Sequence, residues 1–344
     1  MADAACDDAV EQLAALLDQV EAPLKKTFEV RQVILDIPWI VGFLLAHFFS
    51  VYFQNVHQGY PTETLVRFLK AREWHVNKAE KMLVESLNWR IQNEIDNILE
   101  KPIIPVDLYR SIRDTQLIGL SGYSNEVNYY VQSHIQINEF RDRFILVSCQ
   151  LMLHPTVTKK YGRPITTCIK VLDMTGLKLS ALNQMKIVTA ISAVDDLNYP
   201  EKTETYYIVN APYIFSACWK VVKPLLQERT RKKVHVLRGC GRDELLKIMD
   251  YSSLPHFCRR EGSGSSKRSS SDPDDCFSLD HPFHQELYNF IQEQALNQEL
   301  IKQGSLHVKI PEQDPQDAKI VEVIQAEFHK LGVQNGSANG DGKE

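Results

Sequence analysis

Between Tyr213 and Leu226 the chain reads YIFSACWKVVKPLL, and its only clearly polar positions are Ser216, Lys220 and Lys223, with Gln227 one residue beyond. Helical periodicity gathers these positions into one narrow stripe and leaves the rest of the cylinder apolar. A surface helix normally buries a stripe roughly 100° wide. This one therefore needs partners on more than one side: a protein core, an apolar ligand, a membrane or another protein. The β-branched and aromatic run Thr205 to Val209 immediately before it suits a buried strand, and Asn210 with Ala211-Pro212 predicts a helix cap with proline near the first turn.

At 344 residues, with 44% hydrophobic and 24% charged content, the chain can build one large domain or two ordinary ones. A net charge of −5 argues against a general nucleic-acid binder. The seven cysteines (6, 149, 168, 218, 240, 258 and 276) are odd in number and lack C-x-x-C spacing, which reads as free thiols in a reducing compartment. The first 26 residues carry acids where a signal peptide would be basic. Val10, Leu13, Leu16, Leu17, Val20 and Leu24 fall at helical spacing, so a cytosolic amphipathic helix is expected there.

Val33 to Phe53 is 21 residues of mostly apolar chain, long enough to cross a bilayer. Asp36, Pro38 and His47 interrupt it, and basic residues flank it on both sides, so a buried or interfacial segment is expected rather than a span. Thr62 to Trp74 and Asn77 to Glu94 predict a helical hairpin, followed by a weak helix over Val106 to Arg113. Strand and helix patterns then alternate. Strands are expected at Tyr129 to Ile137, Ile165 to Asp173, Thr205 to Val209 and Lys233 to Leu237. Helices are expected from about Ser180 to Leu197, over the apolar segment, and from Arg242 to Met249. That rhythm predicts an α/β domain with a mostly parallel sheet. Glu261 to Asp275 reads as a flexible linker, with two polar amphipathic segments near 283–302 and 316–331 beyond it.

G-x-S-x-G, Walker A, G-x-G-x-x-G and H-E-x-x-H patterns are absent from the sequence, which removes the usual hydrolase, nucleotide and zinc signatures. Gly239-Cys-Gly241 reads as a strand-to-helix turn. His281 and His284 read as a solvated helix start rather than a metal site, and Asp195, Asp196 and Glu201 as acids near a helix end. The basic run Arg229, Arg231, Lys232 and Lys233 has two readings. One is a solvated loop; the other is a phosphate site, because cations beside apolar surface suit an anionic lipid head group next to its acyl chains.

The ordered set TLVRFLKAREW, IKVLDMTG, NYPEKTETYYIVNAPYIFSACWKVVKPLL, TRKKV and GRDELLKIM resembles the CRAL-TRIO family over residues 62 to 258. It is closest in kind to the Sec-fourteen-like phosphatidylinositol and phosphatidylcholine transfer proteins. The resemblance implies an α/β CRAL-TRIO lipid-binding fold: a helical N-terminal lobe, a mostly parallel sheet floor, and a gating helix over an apolar pocket that takes one phospholipid. The helix from Tyr213 would be the gate, with Phe215, Trp219, Val222 and Leu226 on the side expected to meet the bilayer. The head-group positions carried over are Arg72 of K-A-R, Glu201 of Y-P-E, Thr230, and Lys233 of K-K-V. Cys168 and Lys170 stand where the family places hydroxyl residues for choline lipids. The sequence also departs from the pattern at Glu29 to Phe53, after Gly122-Tyr, and at Val147 to His154.

These readings predict an N-terminal helix and apolar insertion over 1–60, a helical lobe over 61–100, a lipid-binding domain over 101–258, a linker over 259–280 and a polar tail over 281–344. The function implied is binding and exchange of phosphatidylinositol, with phosphatidylcholine or another lipid as second ligand, in phosphoinositide signalling or vesicle trafficking. The alternatives are a lipid-sensing scaffold without net transfer, and an α/β enzyme. No catalytic residue, metal or cofactor is expected beyond the bound phospholipid. The expected partners are phospholipid, a transient membrane surface, and a lipid kinase or trafficking protein, with no nucleic acid. A cytoplasmic monomer associated peripherally with Golgi or plasma membrane completes the expectation.

Overall fold

The computed structural model describes residues 2–29, 61–101, 127–140, 167–177, 185–226, 228–259, 308–312 and 315–337, together with Gln285, Leu287 and Asn289. Among the described residues no helix is long and apolar enough to cross a membrane. The Val33 to Phe53 segment, the weak helix over Val106 to Arg113, the linker and His281 with His284 lie outside them.

Four helices make the N-terminal lobe: α1 (Ala2–Leu17), α2 (Ala22–Phe28), α3 (Pro61–Ala71) and α4 (Val76–Gln92). Their apolar stripes close on one core containing Leu13, Leu17, Leu24, Phe28, Leu65, Phe68, Leu69, Met82, Leu83 and Leu87. The helical spacing of those residues in the sequence is what puts them on the inner faces. The α3–α4 hairpin turns through Arg72-Glu73-Trp74, where Glu73 (φ 53°) and Trp74 (φ 63°) both adopt left-handed backbone without glycine. That conformation carries a steric cost, which the surrounding packing holds in place.

A 3₁₀ turn, Ile95–Glu100, leads from α4. Beyond it, α5 (Val127–Phe140) occupies the stretch in which the sequence predicts a strand over Tyr129 to Ile137. The helix is hard to see because its inner stripe is largely polar: Gln132, Gln136, Asn138 and Glu139 are buried beside Ile135. Gln132 and Gln136 donate side-chain N–H bonds to the carbonyl of Lys101, which anchors the helix on the N-terminal lobe. An apolar-periodicity search does not register a stripe made of carboxamides.

The sheet has three parallel strands in the order β1 (Cys168–Asp173), β2 (Thr203–Val209), β3 (Val234–Val236). Helix α6 (Met185–Asn198) connects β1 to β2. Helix α7 (Tyr213–Val222), a 3₁₀ turn (Lys223–Leu225) and α8 (Glu228–Lys233) connect β2 to β3. Both are crossovers of the kind a parallel pair requires. The apolar helix is shorter than the expected 213–226, because Pro224 cannot continue the ladder and the last turn tightens to 3₁₀. The basic run is helical up to Lys233, so β3 begins one residue later than expected.

Asn210 is not the cap of α7. It sits in left-handed backbone (φ 52°) and its side-chain N–H donates to Asp173 Oδ1 at 2.9 Å, tying the C-terminal ends of β1 and β2 together. After β3, the Gly239-Cys-Gly241 turn leads into α9 (Arg242–Leu245), which is shorter than the expected Arg242 to Met249. Gly241 (φ 67°) has no room for a side chain: a Cβ would lie 2.7 Å from Leu237 Cδ1 and 2.8 Å from Val209 Cγ1. Val209, Leu245, Leu254 and Cys258 close a second core with α10 (His256–Arg259). The tail helix α11 (Pro315–Ser337) lies against α7.

A buried polar network joins the two parts. The Arg90 guanidinium of α4 has no exposed surface and reaches Glu139 Oε1 of α5 at 2.8 Å and Asp96 Oδ1 at 2.6 Å; the Glu139 side chain is equally buried. Burial alone would lower the pKa of Arg90, but the charges of Glu139 and Asp96 outweigh it and hold the pKa well above the ordinary value. The Tyr199 hydroxyl donates to Glu139 Oε1 at 2.5 Å, and the Ser86 hydroxyl donates to Asn198 Oδ1 at 2.7 Å. Breaking such a pair from one side strands the other charge in a dry environment. Arg90→Ala is therefore expected to destabilise the fold by about 3–5 kcal/mol, read as a lower urea midpoint; an unchanged midpoint would contradict the network's role.

Candidate functional site

The site is built where β2 begins. Tyr199 is held by Glu139 and Asn198 by Ser86, so the chain enters the Tyr199-Pro200-Glu201 turn from a fixed position. The Tyr199 N–H closes on the Asp195 carbonyl at 2.8 Å, and Glu201 then adopts left-handed backbone (φ 58°) before the strand starts at Thr203. A non-glycine residue in that conformation persists only where its surroundings over-determine it. Here they aim the Glu201 carboxylate at α8.

Glu201 lies between two cations from that helix. Lys233 Nζ is 2.5 Å from Oε2, and Arg229 Nε is 3.3 Å from Oε1. The Glu201 side chain is only 15% exposed, against 23% for Lys233 and 36% for Arg229. Arg229 and Lys233 are one helical turn apart, which places both on the face of α8 that meets the turn. Arg229 also donates from its guanidinium to the backbone carbonyl of Lys70, at the end of α3. The short helix thus bridges the sheet and the N-terminal lobe.

Of the four sequence-predicted head-group residues, Glu201 and Lys233 are in direct contact. Arg72 is half-buried in the turn that follows Lys70, with its guanidinium donating to the Ala71 carbonyl at 3.1 Å. It therefore belongs to the same corner, two residues along the chain from the carbonyl that Arg229 holds. Thr230 is half-buried on α8, beside Arg229 in sequence. Arg229 is the residue missing from the predicted set: its membership of the basic run was visible, but only a helical 228–233 puts it on the same face as Lys233. Arg231 and Lys232 are exposed, and Lys232 pairs along the helix with Glu228 at 2.7 Å, holding that carboxylate below its ordinary pKa.

The three acids grouped in the sequence do not form one cluster. Asp195 lies 2.7 Å from His134 Nε2 and accepts from the Asn138 side chain at 3.0 Å, with Lys170 Nζ at 3.7 Å. Glu201 has the separate partners given above. Lys170 also stands over the Tyr206 ring, 5.8 Å from its centroid, and Cys168 is half-buried at the start of the same strand. Among the described residues no group of His, Cys, Asp and Glu could hold a metal ion. The described cysteines, 6, 168, 218, 240 and 258, are free thiols.

The second part of the site is α7. Tyr213 at its start is 79% exposed and Val221 is exposed, while Cys218 and Val222 are buried. Phe215 and Trp219 are half-buried and stack with ring centroids 6.1 Å apart. Leu226 is half-buried just beyond the 3₁₀ turn, off the helix on which the sequence places it. The face carrying Ile214, Ala217 and Cys218 packs on Ile324, Phe328 and Leu331 of α11. Ser216, Lys220 and Lys223 form the polar stripe; both lysines are exposed.

Residues 9–85 match the CRAL/TRIO N-terminal domain and residues 126–258 match the CRAL/TRIO domain. Two relatives from Arabidopsis thaliana are named phosphatidylinositol/phosphatidylcholine transfer proteins. SFH9 is 29% identical over 229 residues, 60% of this chain and 39% of its own length, and SFH12 is 30% identical over 241 residues, 61% and 42% respectively. The SEC14 cytosolic factor of Eremothecium gossypii is 28% identical over 205 residues, 56% of this chain and 67% of its own. The chain thus spans about two fifths of the length of the two Arabidopsis relatives. With the α/β architecture, the two domain matches and these relatives together, the chain belongs to the CRAL-TRIO family.

Proposed function

We propose that this protein binds one phospholipid, with an inositol-type head group at the Glu201 corner, and exchanges it at membrane surfaces without chemical turnover. The observation that carries this reading is the carboxylate–cation pair Glu201–Lys233, set by Arg229 against the end of α3, in a crossover that also carries an apolar helix with a stacked Phe215–Trp219 pair. A phosphate with its two or more acceptor oxygens competes with Glu201 for Lys233 and Arg229. The displaced carboxylate then becomes an acceptor for a sugar hydroxyl, and Thr230 supplies a further hydroxyl. Such a corner distinguishes an inositol head group from choline, which has no hydroxyl to donate and brings its own cation.

The names of the relatives, phosphatidylinositol/phosphatidylcholine transfer proteins, support this ligand class. Helix α7 supplies the gate in the proposal. Its aromatic pair suits a membrane interface, and exposed Lys220 and Lys223 attract anionic lipid. The setting is then a cytoplasmic protein that meets membranes transiently. Carbonate extraction of membranes carrying the full chain tests the same point for Val33 to Phe53: release is expected, and retention in the pellet points to an anchored form.

Lys233→Ala is expected to lower phosphatidylinositol loading about ten- to a hundredfold, the equivalent of losing one charge-assisted phosphate contact of roughly 1.5–3 kcal/mol. The pair is partly solvated, so the same change is expected to alter unfolding free energy by no more than about 1 kcal/mol. Loading measured by mass spectrometry and a urea titration separate the two effects; unchanged loading removes Lys233 from the site.

Replacing Phe215 and Trp219 together by Asp is expected to abolish phosphatidylinositol exchange between vesicles while leaving a soluble, folded chain. Normal exchange by that variant would show that α7 is not the gate. Aggregation would place the two rings in the core.

A further inference from the structure

The tail beyond the sheet domain makes three separate attachments. Val308 is buried, and the backbone of Lys309 is bonded on both sides at the end of α4: its N–H donates to Oδ1 of Asn93, the residue that caps the helix, at 2.6 Å, and its carbonyl accepts from Trp89 Nε1 at 2.6 Å. The Gln316 side-chain N–H donates to the carbonyl of Leu225, at the 3₁₀ turn that ends the apolar helix. Then Ile324, Phe328 and Leu331, at spacings of four and three on α11, pack on Ile214, Ala217 and Cys218 of α7. The start of α11 meets the end of α7 and its later turns meet the beginning, so the two helices run antiparallel. Pro315 at the first position favours a helix that starts there.

Helix α7 has apolar surface on more than one side, and α11 occupies one of those sides in this state. We infer that residues 308–312 and helix α11 act as a strap that fastens the apolar helix α7 to the N-terminal lobe, and that α7 swings outward only when α11 leaves it. The inference rests on α7 being the moving gate of the proposed lipid exchange. A strap attached to α4 at one end and to α7 at the other resists separation of those two elements directly. Among the described residues its hold on α7 includes a small apolar cluster and the Gln316–Leu225 hydrogen bond, local contacts of the kind that open without unfolding a domain.

Cys218 reports the state of the strap. Its thiol is buried against α11, and burial together with the Glu327 carboxylate of that helix pushes its pKa up to about 11. A thiol in that condition alkylates slowly, since the thiolate is the nucleophile. Departure of α11 removes both the cover and the charge.

The test uses the full chain and its Phe328→Asp/Leu331→Asp variant, with Phe328→Ala as a milder second variant. Two quantities are read: peptide-resolved alkylation of Cys218 by N-ethylmaleimide, and phosphatidylinositol exchange between vesicles. Cys218 is expected to react at least about tenfold faster in the double variant, with an intermediate rate in Phe328→Ala, and exchange is expected to accelerate in the same order. Unchanged alkylation in both variants overturns the strap. Faster alkylation with measurable but unchanged exchange overturns its control of the gate, while leaving the lipid-exchange reading in place. Absence of exchange in the parent and both variants defeats the lipid-exchange reading, and the gating role falls with it.

Discussion

A guanidinium with no exposed surface has to be neutralised where it lies, and in this molecule that requirement organises the junction between the two lobes. Arg90 draws in Glu139 and Asp96, Glu139 in turn accepts from Tyr199, and Ser86 one turn earlier on α4 holds Asn198. Such a network tolerates little slack, because each buried polar group left alone is costly. Its consequence reaches the site within two residues: Tyr199 is fixed, so Glu201 leaves the turn in a left-handed conformation with its carboxylate between Lys233 and Arg229. The position of the cation corner is thus set by a polar contact between helices rather than by the sheet alone.

The same logic separates what the amino-acid sequence discloses from what it hides. Helices α3 and α4, strands β1 and β2 and the apolar character of α7 were legible, because each shows its own hydrophobic period or β-branched run. Helix α5 was not, since its buried stripe is Gln132, Gln136, Asn138 and Glu139, satisfied only by partners far along the chain. Asn210 looked like a helix cap because its type favours caps; the choice of Asp173 as partner depends on strand pairing that no local pattern carries. At the candidate site, motif resemblance singles out Glu201 and Lys233, which lie in contact. Arg229 was hidden by the absence of any sign that 228–233 is helical. The packing of α11 on α7 is wholly tertiary and left no mark beyond the amphipathic character of each helix.

Helix α7 has at least two kinds of surroundings in the structure. Its Cys218 side is covered by α11, while Tyr213 at its start is open to solvent and the Phe215–Trp219 pair is only half-buried. Pro224 then ends it in a 3₁₀ turn, whose Leu225 carbonyl serves the tail instead of a further helical turn. A helix held by short-range apolar contacts on one side and by a proline-broken end is well suited to move as a unit, whereas the Arg90 network behind it is suited to stay. The division places α7 and the Glu201 corner at opposite ends of the β2–β3 crossover.

In the proposed function this corner and the apolar helix together hold a phospholipid. Native mass spectrometry of the full chain purified from cells, followed by lipid extraction, tests it most directly. The expected result is one phospholipid per protein molecule, enriched in inositol head groups over the lipid composition of the host membranes. Protein that purifies free of lipid and fails to take up phosphatidylinositol from vesicles, or that carries a non-lipid ligand instead, would contradict it.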